Sequence, residues 1–306
     1  MRAIGGRQRG RAGQVTRRDC LAVAAVWTVS GVCASAAQAA VPHRLAVLDW
    51  GLAATVLSLG VTPIAVPAIA FYDRNLVDPV MPPGVVDVGL LFTPNFELLF
   101  ELAPDLILIP PGLVSARSAL ARTGPVAVFN LNPFGGEPYT QARAETIRLA
   151  GALGRASSAT ALLAQTEVRI DQAKASLHGY DRRPVYVINM LDGQHIRIFG
   201  KHTLYQDVLD LMGVRNAWSR PSTFLPVGIE ALTEVPDARI VIVASVGDMT
   251  TPAQLAASPF WSALPSVRAG RVHRIGSVFP MGGVPSAARF ATLLSAALLQ
   301  RETAHA

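Results

Sequence analysis

Apolar residues along this chain fall into short unbroken runs, separated by stretches in which they recur with helical period. The clearest unit runs from Pro94 to Ile109. Phe96, Leu99, Phe100 and Ala103 recur at i, i+3, i+4 and i+7, which predicts an apolar helical face, with Glu97 and Glu101 four apart and off it. Pro94 suits a first helical turn, and Pro104 cannot continue a helix. Leu106 to Ile109 is then apolar without a break, as in a strand covered on both faces of a parallel sheet. The same order returns from Glu230 to Val243: Glu, Leu, Glu, Pro-Asp and an apolar strand, with the Glu-to-Pro spacing one residue shorter.

Around these two copies the alternation continues. Arg44 to Leu48 predicts a first strand ending at Asp49-Trp50-Gly51, Leu52 to Leu59 a helix stopped by Gly60, and Val61 to Val66 a strand. Residues 67–84 are rich in Pro and carry Tyr72, Asp73, Arg74 and Asn75, which predicts an irregular loop. Val85 to Leu90 and Val126 to Phe129 predict further strands, so residues 40–136 form a parallel α/β lobe. Strand character then disappears from Tyr139 to Leu177, and residues 137–178 become a helical connector broken near Gly154. A second α/β lobe, 179–306, opens with the strand Val185 to Met190 and the helix Thr203 to Met212. It ends with the strands Ile240 to Ala244 and Val272 to Ile275 and a closing helix from Ser286 to Leu299. Gly213-Val214 repeats the stop at Gly60-Val61, and Trp218 and Trp261 follow apolar helical patterns that assign them to lobe packing. The predicted fold class is α/β, with two lobes of mostly parallel sheet and a ligand cleft between them.

Composition sharpens this. A chain of 306 residues with 51% hydrophobic and 16% charged residues buries ample core and is long enough for two domains. Its net charge of +6 is unevenly spread: residues 1–39 hold six arginines against one aspartate and carry +5 of it, leaving +1 for the rest. That segment has a basic start, an apolar stretch from Leu21 to Val32 and an A-x-A pattern at Ala37-Gln38-Ala39, so it is expected to be an export signal. Thr16 to Leu21, with Arg17-Arg18, is twin-arginine-like. Cys33 follows Val32, which disfavours a lipid anchor, and the apolar stretch is short of the roughly 20 residues of a membrane span. Both cysteines, Cys20 and Cys33, lie in the leader, so the exported chain would have no disulfide or thiolate chemistry. G-x-S-x-G, Walker, G-x-G-x-x-G and H-E-x-x-H motifs are missing, which argues against an enzyme. The histidines are scattered, with only His195 and His202 close in sequence, and are expected at the surface rather than on a metal. Outside the leader there is no basic patch for nucleic acid.

Six stretches carry a resemblance: Arg44 to Trp50, Val86 to Leu90, Thr93 to Leu99, Phe199-Gly200, Asn216 to Trp218 and Pro265 to Arg271. Together, from about Arg44 to Leu299, they resemble the helical-backbone periplasmic binding proteins of ABC importers, most of all the ferric hydroxamate (ferrichrome-type) siderophore-binding branch. The resemblance implies two lobes joined by a long rigid helix, and a monomer that works in the periplasm. It would carry a small-molecule iron chelate, a ferric siderophore, to an inner-membrane permease, and would hold no cofactor and no metal of its own. Glu97 and Glu230 match the acids, one per lobe, that meet the permease. Where that branch has an arginine after the D-V-G-L run, Leu91 stands here; Leu113, Asn75, Leu225, Phe279 and Met281 stand at or near its cleft aromatics. Replacement contacts are expected from Trp50, Tyr72, Arg74, Arg197, Arg220 and Phe279, each in or beside a predicted loop at a strand end. Other readings of the same fold are a carrier of haem, cobalamin or another metal chelate, with Tyr72 or a histidine as direct ligand, and an exported enzyme on a related scaffold.

Overall fold

In the computed structural model, residues 41–220, 225–246 and 251–300 are described, so the expected leader lies outside them, as does the side chain of Leu225. The first half alternates strand and helix: β1 (Leu45–Val47), α1 (Trp50–Ser58), β2 (Ala65–Val66), α2 (Ile69–Leu76), β3 (Val86–Asp87), α3 (Phe96–Leu102), β4 (Leu106–Ile109), α4 (Arg117–Leu120) and β5 (Val126–Val128). Its five strands are all parallel, in the order β3-β2-β1-β4-β5. Leu45, Val47, Val66 and Leu108 pack on one face of the sheet with Leu52 and Val56 of α1. Ala46, Leu48, Ala65, Ile107 and Ile109 pack on the other with Leu99, Leu113 and Leu120. Burial on both faces is why these strands are unbroken apolar runs.

Two local expectations change. The stretch 67–84, expected to be irregular, holds α2. No local side chain caps it, and Ala68 takes φ 50; instead the carboxylate of Asp87 accepts from the backbone N–H of Ala68 and of Ile69, both at 2.9 Å. A cap supplied from the next strand leaves no local signature. Helix α3 begins at Phe96, not Pro94, because Asn95 caps it by accepting from Leu98 N at 3.0 Å. The chain turns left-handed at Ala103, so the helix stops before a second apolar turn forms. Leu99 is buried, but Phe100 is 68% exposed.

The second half contains β6 (Val185–Met190), β7 (His195–Ile198), α7 (Leu204–Met212), β8 (Leu225–Gly228), β9 (Arg239–Val243), the short helices α8 (Pro252–Ala256), α9 (Pro259–Ala263) and α10 (Pro265–Arg268), and β10 (Val272–Ile275); helices α5 and α6 precede it and α11 follows. Strand order is β10-β9-β6-β7-β8, parallel from β10 to β6 and antiparallel from β6 to β8. The apolar pattern predicts neither β7 nor β8. β7 is four residues with two polar ones, and β8 carries Pro226, which only an edge strand tolerates. The second copy of the repeated unit closes as a 3-10 turn over Ile229–Thr233 rather than an α-helix, as its shorter spacing requires. Trp218 and Trp261 are buried with Tyr186, Ile188, Ile240 and Ile242.

The helical stretch resolves into α5 (Pro138–Ala152) and α6 (Ala156–Ser176), separated at Gly154, whose φ is +63°. Twenty-one residues make α6 about 32 Å long. It gives Ala159 and Leu163 to the core of the first half and Ile170 and Ala173 to that of the second. Helix α11 (Gly283–Leu298) does the same, with Val284 in the first core and Phe290, Leu294 and Leu298 in the second. Three mutually packed helices, rather than one, therefore join the halves.

Candidate functional site

In each sheet the strand order reverses once, between β1 and β4 in the first half and between β6 and β9 in the second. Beyond the carboxyl ends of strands at such a reversal the loops diverge and leave a crevice, where open α/β sheets bind ligands. Asp49 and Trp50 follow β1 after Leu48, and Ala244 and Ser245 come directly after β9.

A pocket of about 310 Å3 opens over the second crevice. Asn189, Arg197 and Ser245 line it from the second half, Asn75 of α2 from the first, and Phe279 and Met281 from the loop between β10 and α11. Larger depressions of about 720 and 890 Å3 lie within the second half alone. Arg197 sits directly across the β6–β7 ladder from Asn189. Asn189 is fixed because its Nδ2 donates to the Val243 carbonyl at 2.7 Å, tying β6 to β9. The Nε of Arg197 is buried and finds no acceptor among the described residues. A buried N–H donor without a partner is costly, so the guanidinium of Arg197, the cation that lines this pocket, is held there at the expense of stability.

The loop is pinned from both sides. Tyr205 Oη donates to the Val278 carbonyl at 2.6 Å, Arg289 Nε to the Ser277 carbonyl at 2.8 Å, and Ser277 Oγ to the Asn75 carbonyl of the first half at 2.9 Å. Phe279 meets Trp50 edge-on with centroids 5.6 Å apart, and Trp50 Nε1 donates to the Pro67 carbonyl at 2.8 Å. Gly51 is needed beneath this loop: a Cβ there would lie 2.3 Å from the Met281 carbonyl oxygen. Next to it Asp49 caps α1, accepting from Leu52 N at 2.8 Å, and burial pushes its carboxyl up to about 6 against the pull of those N–H groups.

Of the residues expected to contact ligand, Arg197 and Phe279 line this pocket, and Trp50 stands against Phe279. Tyr72 is elsewhere: it has no exposed surface, its hydroxyl donates to the Pro79 carbonyl at 2.8 Å, and burial raises its pKa. The reason is that α2 is a helix, which turns Tyr72 into the core. Arg74 is exposed on the same helix, 4.7 Å over Phe71, with Nε on the Ala70 carbonyl. Arg220 lies away from the pocket, ion-paired with Glu234 and 4.4 Å over Trp218. Asn189 and Ser245 are pocket residues that no sequence pattern singles out; their only signal is a place near the end of a buried strand. Of the histidines, His195 pairs with Asp192 at 2.9 Å and His202 faces the Gly136 carbonyl, while His273 is buried 3.0 Å from Arg239.

Glu97 and Glu230 are both exposed, each in the first turn after the edge strand of its sheet, β3 and β8. Because β8 runs parallel to β6, both acids stand at the carboxyl-end rim of their sheet. Glu97 borders an open apolar depression with Phe96 and Phe100, and Glu230 another with Phe260, which is 70% exposed.

Two sandwiched sheets on shared helices, with a cation-bearing pocket between them, define a two-lobe ligand-binding protein. The chain belongs to the periplasmic binding protein family, whose profile matches residues 45–278. It is 32% identical over 260 residues to the iron(3+)-hydroxamate-binding protein FhuD of Escherichia coli, covering 84% of this chain and 87% of the relative. Among solved structures it is similar to FhuD from Vibrio cholerae bound to Fe3+-Desferal, with a TM-score of 0.79 and 26% identity over 84% of this chain and 98% of that one. FeuA of Bacillus subtilis, complexed with ferri-bacillibactin, superimposes with a TM-score of 0.69 and 16% identity over 86% and 94% of the chains, a likeness of fold alone. These relatives are binding proteins rather than enzymes, and so is this chain.

Proposed function

We propose that this chain captures a ferric siderophore of the hydroxamate class in the pocket between its halves and delivers it, as a periplasmic monomer, to the membrane permease of an ABC importer. The observation that carries the reading is Arg197, which lines the pocket beside Asn189 with Phe279 and Met281 as its wall, and whose Nε has no partner among the described residues. A guanidinium with donors to spare suits the oxygen face of a chelate, and the aromatic and thioether wall suits its organic skeleton. Iron arrives already coordinated, so the protein supplies no ligand to it. A pocket of about 310 Å3 is at the small end for ligand sites, so part of the chelate would stay exposed to solvent. Glu97 and Glu230 are the proposed docking acids, one on the rim of each half, where the permease would bring arginines.

The test is a titration of the purified mature chain with a ferric tris-hydroxamate, the iron-free form, haem and cobalamin, followed by tryptophan fluorescence. Trp50 touches Phe279 and is the reporter. Saturable quenching at micromolar concentration or below, which needs about 8 kcal/mol of binding, is expected for the ferric chelate and should vanish in Trp50→Phe. Binding of haem or cobalamin but of no ferric chelate would overturn the reading.

A further inference from the structure

We propose that two apolar seats, one beside each rim acid, hold the permease once it has docked. Its periplasmic face would then present, at each foot, an arginine with a leucine-sized apolar side chain within one helical turn. This rests on the reading of Glu97 and Glu230 as docking acids and adds the surface that keeps the partner in place. Neither seat shares a lining residue with the pocket between the halves.

The first seat is a depression of about 420 Å3 between α3 and α4, where Phe96, Phe100 and Ala119 lie with Glu97, Glu101 and Arg122. Helix α3 ends at left-handed Ala103 with only Leu99 buried, so Phe100 is left in water, three residues on from Glu97 and on its side of the helix. The second seat, of about 720 Å3, is lined by His195, Ile229, Thr233, Phe260 and Ala263 with Glu230. Phe260 is held outward there by a fixed turn: Pro259 opens α9, Ser258 Oγ accepts from Trp261 N at 3.4 Å, and Trp261 is buried. Phe100 belongs to the repeated acid-led unit, whereas Phe260 comes from α9, outside it, so the halves reach one arrangement by different elements.

The acids beside these rings are open to a partner. Glu145, Glu167 and Glu234 are paired with Arg148, Arg143 and Arg220, but the carboxylates of Glu97 and Glu230 have no hydrogen-bond or ion-pair partner among the described residues. Gly228 leaves the space in which the Glu230 carboxylate lies, since a Cβ there would overlap its oxygens. Exposed rim charges act mainly on encounter and register. Holding the complex falls to aromatic side chains that lose their water, and a fully covered phenyl ring is worth about 10- to 100-fold in affinity. Because acid and ring border one depression, the segment that fills it pairs a cation with an apolar side chain.

The test supplies purified mature protein, loaded with a radiolabelled ferric tris-hydroxamate, to spheroplasts of cells deleted for this chain, and follows uptake against protein concentration. Phe100→Ala and Phe260→Ala should each raise the half-saturating concentration about 10-fold, and together about 100-fold. Chelate affinity should not change, and the melting temperature should stay within about 2 °C of the parent. Ile147→Ala, which removes an exposed apolar side chain from α5, should change none of these. Glu97→Gln combined with Glu230→Gln reports on the acids alone. If that pair stops uptake while both phenylalanine variants match the parent, the seats are overturned and docking by the acids stands. If neither set changes uptake, the docking reading falls, and if the unmodified chain supports no uptake the carrier reading falls with the seats. Two other occupants would also overturn the seats: self-association of the pure protein in sedimentation, or its binding to phosphatidylglycerol vesicles, in either case lost when both phenylalanines are replaced.

Discussion

The first half builds its sheet from five parallel strands, whereas the second inserts the antiparallel pair β7 and β8 beside β6. The first half gives the pocket no residue from within a strand: Asn75 comes from α2, and Trp50, after β1, stands against Phe279. In the second half side chains from within strands reach the pocket: Asn189 of β6 and, across the antiparallel ladder, Arg197 of β7, which is held by ladder bonds to β6 and β8. Strand backbone is stiffer than loop backbone, so within the second half the charge is placed by the rigid strand β7 and the apolar wall, Phe279 and Met281, by the more adaptable loop before α11. The difference teaches that the two halves, alike in layers, contribute unequally to the pocket: among its described lining residues the first half supplies Asn75 and the second the rest.

The largest effect should come from breaking what the halves share. With Glu97→Gln and Glu230→Gln combined, uptake of radiolabelled ferric chelate by cells carrying the chain and its importer should fall to background. Chelate affinity of the pure protein should stay within about twofold, since exposed rim charges act on encounter. The single variants then weigh one half against the other.

Next is the cation of the second half. Arg197→Met should cost about 30-fold in affinity for a ferric tris-hydroxamate by calorimetry, and the melting temperature should rise, because a buried N–H without an acceptor is removed. A falling melting temperature would mean that Arg197 is structural.

Gly51 tests the loop from the side of the first half. Gly51→Ala drives a methyl against the Met281 carbonyl and should cost roughly 2 kcal/mol, a fall of about 4 to 8 °C. Gly151→Ala, on the exposed side of α5 with nothing near its Cβ, should instead leave stability unchanged or raise it by up to about 1 kcal/mol.

The smallest effect concerns one raised acid in each half, Asp49 and Asp207, both pushed to about 6 chiefly by burial. Below pH 3.8 each carboxyl is protonated, folded or not. As pH rises to about 6 the native state holds its proton more tightly, so stability falls, and above 6 the whole cost remains. Asp49→Asn keeps the cap to Leu52 N without the charge. It should be more stable than the parent by about 1 kcal/mol at about pH 7 and level with it at about pH 4. Asp207→Asn, which keeps an acceptor for Tyr139 N, should show the same curve. A stability gap that does not change with pH would count against both shifts.

The most legible strand is the one where burial admits only apolar residues: Leu106 to Ile109 runs as the pattern predicts. Helix α7 was legible from Thr203 at its cap and left-handed Gly213 at its end. Of the residues expected at the pocket, Arg197 and Phe279 line it and Trp50 meets Phe279, whereas contacts from outside the local sequence set the places of Tyr72 and Arg220. Tyr72 was assigned to a loop because the cap of α2 is Asp87, a residue in a different strand. Arg220 looked free because its partner, Glu234, belongs to another element.

Local order along the chain therefore settled the layers, the two halves and the repeated acid-led unit, since periodicity and backbone propensity act over a few residues. Partnerships between distant segments were decided only on folding: the antiparallel turn of β7 that carries Arg197 to the seam, the closure of Met281 over Gly51, and the three helices shared by two cores. They depend on which surfaces meet in space, and no stretch of sequence short enough to show a period contains both sides of such a contact.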